Sequence, residues 1–130
     1  MDKILTGRRI LVVEDEMLIV LMIEDMLADM GCEAVATAAT IDRAVALIAE
    51  QTFDAAMLDM NLNGKDSLAV ADALAELGIP FVFCTGNTGS NKREDHRDRP
   101  ILRKPFNEEA LAAALTRLFS TDELARKIAT

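Results

Sequence analysis

Five side chains able to take part in ionic chemistry stand where short apolar runs of the sequence end. Glu14 and Asp15 end the first run, Asp59 ends the third, Thr85 ends the fourth, and Lys104 follows the fifth. Parallel strands bring their carboxyl ends to one edge of a sheet, so we expect these side chains to lie close together. Three carboxylates gathered there would repel one another by several kcal/mol in total at an effective dielectric of about 20. The pattern therefore predicts a divalent cation among them, with Lys104 as a second positive charge.

The ligand atoms indicate which cation to expect. Carboxylate and carbonyl oxygens, with no histidine or cysteine ligand among them, make a hard oxygen site. Mg²⁺ commonly binds one or two carboxylates and keeps waters that a phosphate can replace. The sequence therefore predicts a Mg²⁺ site suited to phosphate chemistry.

Short β-branched runs alternate with longer amphipathic stretches along the chain, and five such repeats can be counted. This alternation is typical of an α/β fold with a parallel sheet covered by helices on both faces. The predicted strands are Arg9–Glu14, Cys32–Ala38, Phe53–Asp59, Pro80–Thr85 and Pro100–Arg103.

Capping residues and apolar spacing predict the helices. In the first helix, from about Glu16 to a stop at Gly31, we expect Leu18, Met22 and Met26 to share a face that packs in the core or at a dimer surface. The other predicted helices run from Thr40 through Glu50, from Asp66 to Leu77 before Gly78, and onward from Asn107, with a capping box at Ser120 and Glu123 that restarts a short helical tail. Residues 86–99 have no apolar stripe and are expected to form a short or frayed helix that becomes ordered in the phosphorylated form.

Length and charge limit the classes of function. A chain of 130 residues fits one domain, residues 1–130, with a core at about 8–119 and a helical tail at 120–130. Its net charge of −8 disfavours nucleic acid. With no signal-peptide core and no apolar run long enough to span a bilayer, we expect a cytoplasmic protein. Cys32 and Cys84 are expected to be small core residues, and His96 a solvated side chain.

Four short motifs lie at the predicted strand ends, in chain order: Val13-Glu14-Asp15-Glu16, Leu58-Asp59-Met60-Asn61, Phe83-Cys84-Thr85-Gly86 and Leu102-Arg103-Lys104-Pro105-Phe106. Together they resemble the receiver domains of two-component response regulators, and the resemblance covers nearly the whole chain. It implies a flavodoxin-like, doubly wound fold with strand order 2-1-3-4-5.

The resemblance also implies a role for each site residue. Asp59 is then the phosphoryl acceptor. Lys104 contacts a phosphoryl oxygen, and Thr85 donates its hydroxyl to the phosphorylated form. The implied Mg²⁺ ligands are Asp15, Asp59, the backbone carbonyl of Asn61, and Glu14 either directly or through water. Asn87 lies where it could help or obstruct the water that later hydrolyses the phosphoryl group.

Two departures from the usual receiver pattern bear on partners. Ile101 occupies a position where many receivers carry a Tyr or Phe that turns inward on activation. The fourth strand resembles a single-domain subfamily with the motif Pro-Phe-x-Phe-Ala-Thr-Gly, with Cys84 in the alanine position. That subfamily acts in bacterial stress or signalling networks, often with atypical histidine kinases. The implied partners are therefore a histidine kinase or histidine phosphotransfer protein and a downstream protein target, and output is expected through a protein surface.

The resemblance implies an output switch that phosphorylates and dephosphorylates itself and does not turn over a substrate. Two other functions compete with this interpretation. The first is a phosphorelay intermediate or phosphate sink. The second is a Mg²⁺-dependent phosphatase on a similar fold, which usually needs a second aspartate two residues after the nucleophile. Asn61 stands there instead, and 130 residues leave little room for a substrate cap.

Overall fold

The computed structural model describes residues 3–86, 96 and 98–129, with side chains as far as residue 120. Five parallel strands form the main sheet in the order β2-β1-β3-β6-β7, and β4 pairs only with β5 in a separate antiparallel hairpin. With the hairpin set aside, this order is the expected 2-1-3-4-5. The strands are β1 (Arg9–Val13), β2 (Ala34–Ala38), β3 (Ala55–Asp59), β4 (Asn61–Leu62), β5 (Lys65–Asp66), β6 (Phe81–Thr85) and β7 (Ile101–Arg103).

The helices are α1 (Met17–Asp29), α2 (Ile41–Glu50), α3 (Leu68–Glu76) and α4 (Glu108–Ala129). Thr40 caps α2 by accepting the Arg43 N–H, and Asn107 caps the start of α4 through the Ala110 N–H, as the sequence predicts. The expected restart at Ser120 is wrong, because α4 continues unbroken to Ala129. None of the helices in the described part of the chain combines the length and apolar character needed to cross a membrane.

Apolar side chains cover both faces of the sheet, so its three central strands are almost entirely buried. One cluster packs α2 and α3 onto one face and includes Leu47, Leu74 and Phe83. The other packs α1 and α4 onto the opposite face and includes Ile23, Leu27 and Leu115. Burial on both sides makes the strands a rigid support for the residues that follow them.

Of the face of α1 defined by Leu18, Met22 and Met26, only Met26 packs against the core, and a dimer surface at the other two stays a prediction. Val20, Ile23 and Leu27 pack in the core, whereas Leu18 is 78% exposed and Met22 is also exposed. Residues 17–23 form a continuous apolar run, so spacing alone does not distinguish the core face from the solvent face. The helix therefore keeps an apolar face in solvent.

The expectation for His96 is also wrong, because its side chain is only 3% exposed. Its Nε2 lies 2.7 Å from Asp72 Oδ1 on α3, and its ring packs edge-on against Phe81 and Phe83. These tertiary contacts bury a histidine that lies in a highly charged stretch of sequence. Residues 87–95 and 97, on which the frayed-helix expectation rests, lie outside the described residues.

Truncating Ile23 and truncating Leu18 should have very different effects on stability. We expect Ile23→Ala to lower the free energy of unfolding by about 2–5 kcal/mol, because it leaves a cavity under α1. Leu18→Ala, on the same helix, should change it by less than about 0.5 kcal/mol. Urea denaturation followed by circular dichroism measures both values, and a large loss for Leu18→Ala would contradict this orientation of the helix.

Candidate functional site

The sheet brings the predicted site residues to its carboxyl edge. Asp59 ends β3 and is paired with Cys84 on β6, so Thr85 extends one residue farther on the neighbouring strand. Glu14 and Asp15 follow β1, the strand on the other side of β3. Lys104 follows β7 and donates its backbone N–H to the Thr85 carbonyl at 2.8 Å. Four separate strand ends therefore supply one site.

Three carboxylates at this edge can share a metal ion. Glu14, Asp15 and Asp59 each offer a carboxylate oxygen, and these three atoms lie within 4.8 Å of one another. Glu14 and Asp59 are buried, whereas Asp15 is half-buried and opens the group toward solvent. An all-oxygen ligand set with access to water fits Mg²⁺.

Lys104 places its ammonium group against two of these carboxylates. Its Nζ lies 2.6 Å from Glu14 Oε1 and 3.1 Å from Asp59 Oδ2. Burial by itself would lower the pKa of Lys104, but the hydrogen bonds and negative charges of Glu14 and Asp59 outweigh it, so the pKa is raised. Lys104 is therefore a fixed positive charge beside Asp59 at neutral pH.

Glu14 is the most deeply buried carboxyl group of the three, at 2% exposure. Its burial raises its pKa, and this effect exceeds the opposing effects of the hydrogen bonds from Lys104 and from the Glu16 N–H. The Glu16 N–H donates to Glu14 Oε2 at 3.1 Å, so each oxygen of Glu14 has a donor. Keeping this carboxylate ionised thus depends on nearby positive charge.

Both carboxylate oxygens of Asp59 also accept hydrogen bonds. Oδ1 accepts the backbone N–H of Asn61 at 3.2 Å, and Oδ2 accepts from Lys104 at 3.1 Å. Asn61 therefore contacts the site through its backbone N–H. The predicted role of its backbone carbonyl as a Mg²⁺ ligand stays a prediction. Since Asp59 is oriented from two sides, its carboxylate is set in one direction at the end of β3.

Thr85 and Cys84 end β6 with opposite orientations. Thr85 is buried and shares its face of the strand with Phe81 and Phe83, whereas Cys84 packs in the cluster on the other face. Burial raises the pKa of the Cys84 thiol to about 12, so it remains a protonated core residue. Cys32 is likewise buried, which confirms the core assignment of both cysteines.

The sequence analysis missed one contact of the site. The β4–β5 hairpin directs the backbone N–H of Asn63 to Asp15 Oδ2, at 3.2 Å. The sequence Asn61-Leu62-Asn63-Gly64 predicts a turn, and the Asn63-Gly64 pair is a strong hairpin signal, but neither predicts the contact with Asp15. Of the other predicted positions, Ile101 is exposed on β7 and Asn87 lies outside the described residues.

Solved structures of bacterial signalling proteins are similar to this chain. SdrG from Sphingomonas melonis Fr1 is 45% identical, with 85% of this chain and 95% of that chain covered and a TM-score of 0.77. The BeF3-activated conformation of SdrG, from Pseudomonas melonis Fr1, is 44% identical over the same shares of the two chains, with a TM-score of 0.74.

A third structure is the receiver domain of the sensor histidine kinase PA1611 from Pseudomonas aeruginosa PAO1, with a magnesium ion coordinated in its active-site cleft. It is 27% identical, with 88% of this chain and 99% of that chain covered and a TM-score of 0.77. No curated protein matches the sequence significantly. The family model of the response regulator receiver domain matches residues 10–116, and the chain therefore belongs to that family.

Proposed function

We propose that this chain is a Mg²⁺-dependent signalling switch that accepts a phosphoryl group on Asp59. The observation that supports the proposal most strongly is the position of the Asp59 carboxylate, which lies beside two further carboxylates and beside the Lys104 ammonium that also contacts Glu14. Its likeness to SdrG, known in a BeF3-activated conformation, and to the magnesium-bound PA1611 receiver domain supports the same function.

The chemistry is a phosphoryl transfer between two nucleophiles. A carboxylate oxygen of Asp59 attacks the phosphorus of a phosphohistidine, the P–O bond forms as the P–N bond breaks, and the electron pair remains on the imidazole nitrogen. Glu14, Asp15 and Asp59 would hold Mg²⁺, and the bound ion would supply positive charge for the transferring oxygens. Lys104 adds a fixed charge to the same region, and the Thr85 hydroxyl would donate a hydrogen bond to a phosphoryl oxygen afterwards.

The position of Asn61 argues against the phosphatase alternative. Its side-chain Oδ1 accepts the Gly64 N–H at 2.9 Å and so is engaged in the hairpin turn. An amide is also neither a general acid nor a general base at neutral pH. We therefore propose a chain that cycles its own phosphoryl group in the cytoplasm and does not turn over an external substrate. A long-lived phosphorylated form would favour an output switch over a relay or sink.

The exposed face of α1 supports a protein as the phosphoryl donor. Met17, Leu18, Leu21 and Met22 are all exposed on this helix, which begins two residues after Asp15. Contiguous exposed apolar side chains beside a site commonly mark a protein interface. A histidine kinase or histidine phosphotransfer protein must cover this edge of the sheet to bring its phosphohistidine to Asp59. We infer that it packs on this face of α1.

Replacing the acceptor should abolish phosphorylation. We expect Asp59→Asn to gain no phosphoryl group from acetyl phosphate with Mg²⁺, because an amide is a poor nucleophile and a weaker metal ligand. Intact-mass spectrometry measures the gain directly. Asp42→Asn, which changes an exposed carboxylate on α2, should be labelled like the wild type. A labile phosphate on the Asp59→Asn protein would place the acceptor elsewhere.

Removing Lys104 should destabilise the fold, because the buried Glu14 carboxylate then loses its positively charged partner. In chelator at neutral pH, we expect Lys104→Met to lower the free energy of unfolding by about 1–3 kcal/mol. Since burial already raises the pKa of Glu14 above the usual 4.5, loss of Lys104 raises it further. A group with a raised folded-state pKa destabilises the fold as pH rises through that value, so the difference from wild type should grow from about pH 4.5 upward.

Urea titrations at several pH values test this dependence. Lys65→Met, which removes an exposed lysine from the hairpin, is the matched control and should show almost no such trend. A stability difference for Lys104→Met that does not depend on pH would mean that Glu14 is not the group responsible.

Polar substitutions on α1 should separate protein donors from small ones. We expect the double variant Leu18→Gln and Met22→Gln to slow transfer from a kinase that labels the wild type by about tenfold, because apolar contacts with the donor are lost. Labelling by acetyl phosphate should not change, since a small donor needs no docking surface. Val45→Gln, at an exposed apolar position on α2, serves as the control. Equal loss with both donors would indicate damage to the site and would contradict docking on α1.

A further inference from the structure

The β4–β5 hairpin turns through two residues with unusual backbone angles. Leu62 pairs with Lys65, so Asn63 and Gly64 form the whole turn. Their φ angles are 53° and 83°, and two positive values in succession are what a type I′ turn requires. Asparagine is among the few residues besides glycine that adopt this conformation readily. The sequence of the turn is therefore suited to its geometry.

Hydrogen bonds connect this turn to residues that follow two strands of the main sheet, and one further bond closes the hairpin itself. Asn63 donates its backbone N–H to Asp15 Oδ2 at 3.2 Å and its Nδ2–H to the Ala39 carbonyl at 3.4 Å. Gly64 donates its N–H to Asn61 Oδ1 at 2.9 Å. Asp15 follows β1 and Ala39 follows β2, whereas Asn61 begins β4 of the hairpin itself. The turn is thus fixed relative to the edge of the sheet that carries the carboxylates.

The orientation of the Asp15 carboxylate depends on such a contact. It is half-buried and its charge is repelled by the carboxylates of Glu14 and Asp59. Among the residues that the structure describes, the Asn63 N–H is the hydrogen-bond donor to its carboxylate. Without that donor, rotation about χ1 could carry the carboxylate away from its neighbours and into water.

We propose that Asn63 is a positioning residue, and that the Asn63-Gly64 turn holds Asp15 in the orientation that Mg²⁺ requires. This inference rests on the proposed function, in which Mg²⁺ binds among the three carboxylates. Groups that orient a metal ligand by hydrogen bonding commonly contribute substantially to metal affinity. Asn63 acts through Asp15 and does not itself bind the ion.

The turn should also affect whether the site prefers Mg²⁺ or Ca²⁺. Mg²⁺ demands a nearly ideal octahedral arrangement at short distances, whereas Ca²⁺ accepts longer and more irregular ones. A turn that limits the freedom of Asp15 therefore favours Mg²⁺ in particular. Loosening it should weaken Mg²⁺ binding more than Ca²⁺ binding, and a general loss of stability would not produce that difference.

The contact itself can be tested without metal. In chelator, Asp15→Ala should move the amide proton resonance of Asn63 upfield and speed its exchange with solvent, because the charged acceptor is gone. Glu50→Ala, which changes an exposed carboxylate at the far end of α2, should leave that resonance unchanged. An Asn63 amide that does not respond to Asp15→Ala would overturn the proposal whatever the protein binds.

Calorimetric titration with Mg²⁺ and with Ca²⁺ then tests the consequence for binding. Asn63→Val disfavours the positive φ, and we expect it to lower Mg²⁺ affinity about tenfold and Ca²⁺ affinity by less. Asn63→Gly keeps the backbone donor and the positive φ, so it should bind Mg²⁺ almost as the wild type does. Asn63→Ala, with less strain than valine, gives an intermediate case if Asn63→Val folds poorly.

These titrations distinguish failure of this inference from failure of the proposed function. The wild-type chain and the Asn63→Val variant could bind Mg²⁺ with equal affinity, or the variant could lose affinity for Mg²⁺ and for Ca²⁺ to the same extent. Either result would overturn the role of Asn63 and leave the proposed function standing. A wild-type chain without Mg²⁺ affinity would overturn the proposed function and this inference together.

Discussion

The structure depends on the convergence of three carboxylates and one ammonium group at a single edge of the sheet. Lys104 offsets the charge of Glu14 and Asp59 through short contacts, but one positive charge does not balance three negative ones. The remaining repulsion is reduced by a divalent cation or by proton uptake. Burial is the main cause of the raised pKa of Glu14, and the negative charge of Asp59 adds to it. The same charge distribution that disfavours the metal-free site thus favours the binding of Mg²⁺.

The rest of the fold keeps these charges from moving apart. The central strands are buried on both faces, so the residues that follow them cannot shift without disturbing both core clusters. Backbone amides of Glu16, Asn61 and Asn63 then orient one carboxylate each. Rigid strands set the positions and local hydrogen bonds set the directions. A carboxylate held in this way would lose little entropy on reacting, which suits the proposed phosphoryl transfer to Asp59.

Strand ends could be predicted from the sequence because apolar runs and turn residues define them locally. Those local signals were enough to predict a parallel sheet with Glu14, Asp59 and Lys104 at one edge, whereas the strand order came from the resemblance to receiver domains. Features determined by tertiary contacts could not be predicted in the same way. The core face of α1 was ambiguous in a run that is apolar on every side, and His96 is buried by contacts with Asp72, Phe81 and Phe83 from distant parts of the chain. The contact between Asn63 and Asp15 likewise spans 48 residues of sequence.

Paramagnetic mapping with Mn²⁺ tests most directly whether the carboxylates share one cation. Mn²⁺ prefers the same oxygen ligands as Mg²⁺ and broadens the NMR signals of nuclei near it. We expect substoichiometric Mn²⁺ to broaden the amide resonances of Glu14, Asp15, Asp59 and Lys104 first, and excess Mg²⁺ to restore them. Residues at the opposite edge of the sheet, such as Gln51 and Leu77, should stay sharp. Broadening centred elsewhere, or none at the four site residues, would contradict a shared metal site at the carboxyl ends of the strands.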